Sequence, residues 1–407
     1  MPESIPYIPK AFFNNIGEMT LSEIAYVVAN TLFGEDIESI DLNETVKDAF
    51  TFDIPVTHIA DHKYELELFH GPTLASKDLG SRFMARMLRF FNGKVNGNDA
   101  MVNVIVATSG DAGAAVANGF HHVPGVRVIA LYPKGRLTKM QESQISTLGD
   151  NIVAIEVRGD FDDCQRMAKD AFFDAEINEK MILTSANSIN VASLLPQTIY
   201  FFTAYAQLIH AGKSVDHLTF SIPAGNLGHV TSAMIAKRMG VPIEKIIVAD
   251  NHNDVFYRYV TTGKYEPRNT VSTLATALDV GNPTNMERIM DLYRDNMEQL
   301  HADVTATMYD DSQIAQTIRE VQRCTNRLLD PQAALAYRAL SDNLPAGHKG
   351  IFLAATHPSK YKDAIEAITG CVVPVPAQLR AGLKGQPQTI RIPASSSALK
   401  KRLLSLI

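Results

Sequence analysis

Cysteine is scarce in this sequence. The 407 residues include only Cys164, Cys324 and Cys371, and no two of them have the C-x-x-C spacing. An odd number of widely separated cysteines is unlike a disulfide framework or a zinc ribbon. This pattern favours a protein of the reducing cytoplasm.

The sequence also lacks an excess of basic residues. It has 38 Lys and Arg against 44 Asp and Glu, a formal net charge of −6. A chain of this charge has no broad basic surface with which to neutralise a phosphate backbone or an anionic membrane. We therefore expect no nucleic-acid partner.

Long uninterrupted apolar runs are absent as well. The most apolar stretch, residues 191–211, is interrupted by Pro196, Gln197, Gln207 and His210, so it predicts a buried helix rather than a membrane span. The N-terminal sequence MPESIPYIPKAFF has no basic head followed by an apolar run, unlike a secretory signal. No membrane partner is expected.

What the chain does have is a globular composition, with 46% hydrophobic and 20% charged residues, and a length that predicts two packed lobes. Apolar runs rich in β-branched residues alternate with helical patterns. Such runs are typical of parallel strands buried on both faces, so we predict an α/β fold. The predicted strands lie at 102–108, 126–132, 152–157, 217–223, 245–250 and 350–356. Residues 21–46 predict short N-terminal helices.

Two glycine-containing loops at strand ends are candidate anion sites. One runs from Ser109 through Gly110 and Asp111 to Gly113, and the other spans 225–228, the sequence GNLG. Each precedes a helical pattern, where unpaired backbone N–H groups and the helix dipole would hold a carboxylate or phosphate. A glycine loop of this kind, taken alone, is more often an ordinary strand-to-helix turn than a binding site. Neither matches the glycine fingerprints of nicotinamide or nucleoside-triphosphate sites, and no G-x-S-x-G nucleophile motif occurs.

Lys77 follows a tight HGPT turn and precedes a helical pattern. Such a lysine is either an exposed surface charge or, if burial lowers its pKa, an amine that forms a Schiff base with a carbonyl cofactor. Together with the two anion loops, Lys77 suggests pyridoxal phosphate. His121 and His122 are adjacent to a turn, and no further ligand has zinc spacing from them, so the sequence predicts no metal site.

The order of several motifs resembles the threonine synthase family. These motifs are HGPTLASKD (70–78), ATSGDAGAAVA (107–117), SANSIN (185–190), PAGNLG (223–228), LDVGNPTN (278–285) and ATHPSKY (355–361). The resemblance implies a pyridoxal phosphate enzyme of fold type II, the tryptophan synthase β-like fold, with two mostly parallel α/β lobes. The expected organisation is a helical extension at 1–60, a larger lobe of 61–77 and 201–375, a smaller lobe of 78–200, and a tail with a helix at 376–407.

The resemblance also implies a reaction and residue roles. The family converts O-phosphohomoserine and water to threonine and phosphate, so the chain is expected to be a lyase of amino-acid biosynthesis. Lys77 would carry the Schiff base. The implied cofactor contacts are Gly225, Asn226, Leu227, Gly228 and Thr356. The implied or candidate substrate contacts are Ser109, Gly110, Asp111, Ser76, Asn187, Ser193 and Arg82.

Several pocket positions depart from the family pattern. The departures are Ser76, Ala112, Ser193, Ala224, His229 and Ala355. Ser193 stands where the family usually has an arginine expected near the substrate phosphate, so another cation would have to replace a charge-assisted contact. The candidate cations are Arg82, Lys134, Arg136, Lys139 and Lys360, although each is more often a solvated surface charge.

These departures keep other functions open. One alternative is a diverged paralogue that carries out β- or γ-elimination or replacement on another amino acid in specialised metabolism. A second is a non-catalytic binding protein of the same fold, which the presence of Lys77 disfavours. A homodimer is expected only from the fold.

Overall fold

The computed structural model describes residues 5–95, 100–294 and 296–407. The chain divides into two compact units, Met1–Ser76 with Leu194–Val373, and Lys77–Ser193 with Pro374–Ile407. Each unit is built on a mostly parallel sheet flanked by helices. The predicted α/β fold with two mostly parallel sheets is confirmed.

The strands are short and their bounds are as follows: Val56–Ala60 (β1), Lys63–Glu67 (β2), Val102–Ala107 (β3), Val126–Pro133 (β4), Ile152–Arg158 (β5), Ile182–Ser185 (β6), Leu218–Pro223 (β7), Ile243–Asp250 (β8), Val304–Met308 (β9), Lys349–Ala354 (β10) and Thr389–Pro393 (β11).

The α-helices are Lys10–Asn15 (α1), Leu21–Phe33 (α2), Ser39–Ala49 (α3), Lys77–Val95 (α4), Asp111–Phe120 (α5), Lys139–Ser146 (α6), Phe161–Phe173 (α7), Ala175–Lys180 (α8), Val191–Leu194 (α9), Ile199–His210 (α10), Gly228–Met239 (α11), Val255–Thr262 (α12), Met286–Tyr293 (α13), Met297–Asp303 (α14), Asp311–Thr325 (α15), Pro331–Asn343 (α16), Lys362–Thr369 (α17), Ala377–Leu383 (α18) and Ser396–Leu404 (α19). Single turns of 3-10 helix occur at Ile16–Glu18, Leu195–Thr198, Thr276–Leu278 and Pro358–Tyr361.

The first unit contains a six-stranded sheet in the order β1-β2-β10-β7-β8-β9. β1 and β2 form an antiparallel hairpin, and the other neighbouring strands are parallel. Leu218 pairs with Lys349 of β10 on one side and with Ile243 of β8 on the other. The amino ends of these three strands therefore lie side by side, and their carboxyl ends lead into loops at the opposite edge.

The second unit contains a five-stranded parallel sheet in the order β11-β5-β4-β3-β6. Successive residues of β3 enter different cores: Val104 and Val106 pack with α5 on one face, and Ile105 packs with α7 and α19 on the other. A strand buried on both faces is apolar at nearly every position. This is why β3, β4 and β5 could be predicted from apolar runs in the sequence.

All six predicted strands are present, and so are the N-terminal helices, with Gly34 at the C-cap of α2. The sequence did not predict β1, β2, β6, β9 or β11. These strands have partly exposed or polar positions, so the apolar pattern that marks a doubly buried strand is missing from them. The lobe boundaries drawn from the sequence stay predictions.

Among the helices of the described residues, none combines the length and the apolar character that crossing a membrane requires.

Candidate active site

Ser76, the residue before Lys77, is fixed by hydrogen bonds at both its backbone N–H and its carbonyl group. The Ser76 N–H donates to the Ala355 carbonyl at 2.7 Å, and the Tyr200 hydroxyl donates to the Ser76 carbonyl. Ala75 forms a β-bridge with Thr356 within the same unit. Leu74 has φ +58°, a left-handed conformation that is rare for a bulky residue and turns the chain sharply here. The start of the lysine-bearing helix is thereby fixed, and the Ser76 side chain is buried.

Lys77 is the first residue of α4 and is only partly exposed. Burial lowers the pKa of its ammonium group to about 8, and the nearby Asp111 carboxylate opposes this shift. A helix N-terminus also disfavours positive charge. The amine is thus far more available in its neutral, nucleophilic form than an ordinary lysine is at neutral pH.

The loop after β3 is organised by Thr108, which the sequence analysis did not single out. Its hydroxyl oxygen accepts hydrogen bonds from Gly110 N at 2.9 Å and Gly113 N at 2.8 Å. A Cβ at Gly113 would lie 2.4 Å from Thr108 Cγ2, so this close approach requires glycine. The expectation that the backbone N–H groups of this loop are unpaired is wrong for Gly110 and Gly113, because both already donate to Thr108.

Asp111 belongs to this loop and is fixed by Gln141. The buried Asp111 carboxylate accepts a hydrogen bond of 3.0 Å from Gln141 Nε2. Gln141 is fully buried and forms a capping box with Thr138 at the start of α6. Gly110 has φ +139°, and a Cβ on it would lie 2.6 Å from Gln141 Cδ. Gln141 therefore shapes the loop, and its T-x-x-Q spacing was a sequence signal for the cap.

The other predicted substrate contacts of this unit occupy different settings. The Asn187 side chain accepts from Ala107 N at 3.1 Å and donates to Ala107 O at 2.8 Å, which ties it to the carboxyl end of β3. Ser193 is buried in the short helix α9. Arg82 is half-buried on α4. Ser109 is half-buried beside Gly110.

In the first unit the GNLG loop, residues 225–228, joins the carboxyl end of β7 to α11. Leu227 has φ +59°, so the backbone changes direction just before the helix. Asn226 Oδ1 accepts from Thr284 N at 2.6 Å and Thr284 Oγ1 at 3.0 Å, and Asn226 O accepts from Asn285 Nδ2 at 2.6 Å. Thr284 and Asn285 belong to the LDVGNPTN motif, but nothing in the sequence assigned them this buttressing role.

The GNLG loop fits an anionic group. A Cβ at Gly225 would lie 3.0 Å from Leu278 Cα, so the chain passes close to the 3-10 turn there. At Gly228 the nearest atoms to such a Cβ are 3.8 Å away. Because α11 begins at Gly228, its first N–H groups and its dipole favour a phosphate at this end of the helix.

Thr356 lies at the carboxyl end of β10, the strand next to β7. Its buried hydroxyl accepts a hydrogen bond of 3.2 Å from Gln332 Nε2. The neighbouring His357 accepts from Ser359 N at 3.1 Å and so caps the following turn. Burial, followed by the charges of His70 and Lys360, lowers the pKa of His357 to about 4. His357 is therefore neutral at physiological pH.

The candidate replacement cations also differ in burial. Lys134, Arg136 and Lys139 are exposed, as expected for surface charges. Lys360 is 1% exposed, so the expectation of a solvated surface charge is wrong for this residue. It lies in the 3-10 turn that His357 caps, and it is buried there together with Ser359 and Tyr361.

Comparisons with known proteins agree with this arrangement. Residues 64–352 match the family described as "Pyridoxal-phosphate dependent enzyme". The threonine synthase of Serratia marcescens is 41% identical over 379 residues, covering 93% of this chain and 86% of the relative. The crystal structure of threonine synthase from Escherichia coli matches with a TM-score of 0.94 and 37% identity, covering 100% of this chain and 93% of that one.

A third comparison concerns a structure that contains the cofactor. The PLP-bound threonine synthase from Brucella melitensis matches with a TM-score of 0.90 and 27% identity, and covers 99% of this chain and 92% of that chain. Sequence and structure point to the same relatives along nearly the whole length. The chain belongs to the threonine synthase family of pyridoxal-phosphate dependent enzymes.

Proposed function

We propose that this chain is a pyridoxal phosphate-dependent carbon-oxygen lyase that converts O-phosphohomoserine and water to threonine and phosphate. The observation that carries the proposal is Lys77, whose pKa is lowered to about 8 at the start of α4, in a chain 41% identical to a threonine synthase. The same comparison favours this activity over that of a diverged paralogue.

The residues proposed to hold the cofactor fit its chemistry. Lys77 would hold it as a Schiff base, and residues 225–228 would bind its phosphate through backbone N–H groups at the start of α11. Thr356 is the proposed contact to the pyridine ring. When bound, pyridoxal phosphate supplies an electron sink for charge that develops on the substrate carbon.

The proposed part of Lys77 in the reaction is proton transfer. A neutral amine with a pKa close to the working pH both accepts and returns protons efficiently. Once the substrate amine has displaced it, Lys77 would take the proton from the substrate α carbon, relay protons at Cβ and Cα as the γ phosphate leaves, and later assist the addition of water at Cβ. Asp111 opposes the burial-driven shift of the Lys77 pKa, which keeps both protonation states of the lysine accessible.

The substrate contacts are also proposed. Ser109, Gly110 and Asp111 would form the loop that meets the substrate carboxylate, and Asn187 would hold the neighbouring strand end in place. Since Ser193 has no cationic group, Arg82 is the proposed donor to the substrate phosphate. The remaining proposed contact is Ser76.

The decisive experiment measures phosphate release from O-phosphohomoserine by the purified holoenzyme, together with threonine formation. We expect equal amounts of both products, and their loss in Lys77→Ala. A yellow protein that releases no phosphate but eliminates or replaces a group on another amino acid would support the paralogue instead. A colourless protein that borohydride does not modify at Lys77 would support the binding protein.

Three further features are part of the proposal. Cys164, Cys324 and Cys371 are free thiols, which a reducing cytoplasm preserves. A homodimer is proposed from the fold class alone. The division into a larger and a smaller lobe along the predicted boundaries is proposed as well.

A further inference from the structure

Three polar side chains converge at the amino ends of adjacent strands in the first unit. His348 immediately precedes β10, His217 immediately precedes β7, and Glu244 is the second residue of β8. Their ligand atoms all lie within 4.8 Å of one another. The GNLG loop leaves β7 at its opposite end, six residues along the strand, so this cluster is separate from the proposed cofactor contacts.

Both histidines present a ring nitrogen to the same carboxylate. His217 Nδ1 lies 2.5 Å from Glu244 Oε2, and His348 Nε2 lies 3.6 Å from Glu244 Oε1. The two rings stack with centroids 5.2 Å apart and planes inclined by 21°. Ligand atoms of a tetrahedral zinc ion, bound at about 2.0–2.2 Å, lie roughly 3.4 Å apart. The 3.6 Å separation matches this value, and the 2.5 Å contact is a hydrogen bond whose proton a metal would replace.

The orientation of His348 is set by a buried residue. Thr219 Oγ1 lies 2.8 Å from His348 Nδ1, and Thr219 is fully buried in β7. When Nδ1–H donates to the threonine oxygen, Nε2 keeps its lone pair and faces Glu244. Histidines that bind metals are commonly held through their other ring nitrogen in this way. The His348 side chain is 12% exposed, whereas His217 and Glu244 are about half exposed and free to adjust.

The lysine that lies beside Glu244 is paired with an aspartate. Lys237 donates to the Glu244 backbone carbonyl at 2.9 Å, but its ammonium group is paired with Asp303 at 2.7 Å. Two imidazoles and one carboxylate form a ligand set that suits zinc better than magnesium or calcium, which prefer oxygen. Three protein ligands leave a fourth position for water.

We propose that His217, Glu244 and His348 form a binding site for a divalent transition metal, zinc in particular, with Thr219 as a positioning residue. The ion would join the amino ends of β10, β7 and β8 from outside the sheet. Because it binds the folded chain, it raises the temperature of unfolding. The site is independent of the proposed catalytic reaction.

The test is a zinc titration of chelator-treated holoenzyme against a chromophoric competitor, repeated with Co²⁺ to read the ligand type from visible absorbance. We expect one strong site with a nitrogen and oxygen spectrum. His348→Ala and His217→Ala should each weaken binding at least tenfold, and the nearly isosteric Thr219→Val by about 10- to 100-fold. The enzymatic activity of these variants, measured without zinc, should equal that of the unchanged chain.

The chain offers a matched control in a second group, His121, His122 and Asp150, which lies in the other unit and whose last two members are mostly exposed. His122→Ala should leave the strong zinc site intact. Loss of zinc binding in His122→Ala, undiminished binding in the His217→Ala/His348→Ala double variant, or a thiolate charge-transfer band with Co²⁺ would each overturn the proposal. Circular dichroism of every variant distinguishes a lost site from a lost fold.

Discussion

At the scale of single residues, the site depends on charges held in place by neutral partners. Lys77 is kept from full protonation by burial, and Asp111 limits that effect. Asp111 is in turn held by Gln141. Since electrostatic effects grow when water is excluded, a small displacement of any of these three side chains changes the protonation of the lysine.

The first prediction concerns the titration of Lys77 in the cofactor-free protein. We expect the rate at which an amine-selective reagent labels Lys77 to rise with a midpoint near pH 8. Asp111→Asn removes a negative charge that favours the ammonium form, so the midpoint should move to lower pH. Peptide mass spectrometry after pulse labelling gives the rates. Asp150→Asn, at an exposed position of the same unit, is the control, and an unchanged midpoint in Asp111→Asn would refute the coupling.

The second prediction concerns Gln141. Gln141→Leu keeps the side-chain volume but removes the Nε2 donor to a buried carboxylate, a loss of about 1–3 kcal/mol. We expect kcat/KM to fall at least tenfold, with KM rising more than kcat falls, because the loop is displaced while Lys77 remains. Steady-state kinetics and a urea unfolding curve measure the two effects.

Gln313→Leu is the matched control for Gln141→Leu, since Gln313 has the same place in the capping box that begins α15. It should lower stability slightly and leave kcat/KM unchanged. Equal kinetic losses in both variants would mean that the effect is only that of a lost helix cap.

At the scale of elements, each unit contains the same arrangement, a parallel strand that ends in a glycine loop and continues as a helix. The loop after β3 is closed from within by Thr108, whereas the loop after β7 is buttressed by Thr284 and Asn285 from a segment more distant in sequence. Local closure depends on a neighbouring side chain. The hydrogen bonds from Thr284 and Asn285 to Asn226 depend on the tertiary fold, so they are lost when the segment that contains Thr284 and Asn285 moves.

The third prediction follows from this buttress. Thr284→Val removes one hydrogen bond to Asn226 and keeps the one from the Thr284 backbone, so cofactor affinity should fall about 2- to 10-fold, the effect of a single hydrogen bond. Asn226→Ala removes the acceptor of both and should weaken binding more. Fluorescence titration of the cofactor-free protein with pyridoxal phosphate measures the affinities. Thr261→Val, on the surface of α12, is the control, and the idea fails if Asn226→Ala binds as tightly as the unchanged chain.

The elements also show how far the sequence alone leads. Strands buried on both faces, such as β3 and β4, were predictable because nearly every position in them is apolar. The strand Thr389–Pro393 was not, since its alternating pattern includes exposed residues. The glycine loops that contain Asp111 and GNLG could be located from glycine and turn chemistry. Their supports, Gln141 and Thr284, could not be assigned, because these depend on contacts formed only in the folded chain.

At the scale of the whole molecule, ligand binding and stability are linked. A cofactor that binds the folded chain and not the unfolded one stabilises it, by about 2.7 kcal/mol at a concentration of 100 times Kd. The fourth prediction is that the holoenzyme unfolds at a higher temperature than the cofactor-free protein by several degrees. The difference should shrink in Lys77→Ala. Differential scanning calorimetry measures it, and identical transitions with and without cofactor would contradict the proposal.

The path of the chain between its units has a consequence for biosynthesis. The last residues, Pro374–Ile407, return to the unit of Lys77–Ser193, where β11 pairs with β5 at the edge of the sheet. A ribosome delivers β5 long before β11. Until β11 has been made, that edge has unpaired backbone groups, which invite aggregation. The nascent protein therefore depends on β11 to protect a strand made more than two hundred residues earlier, and a stop before β11 would leave that edge open.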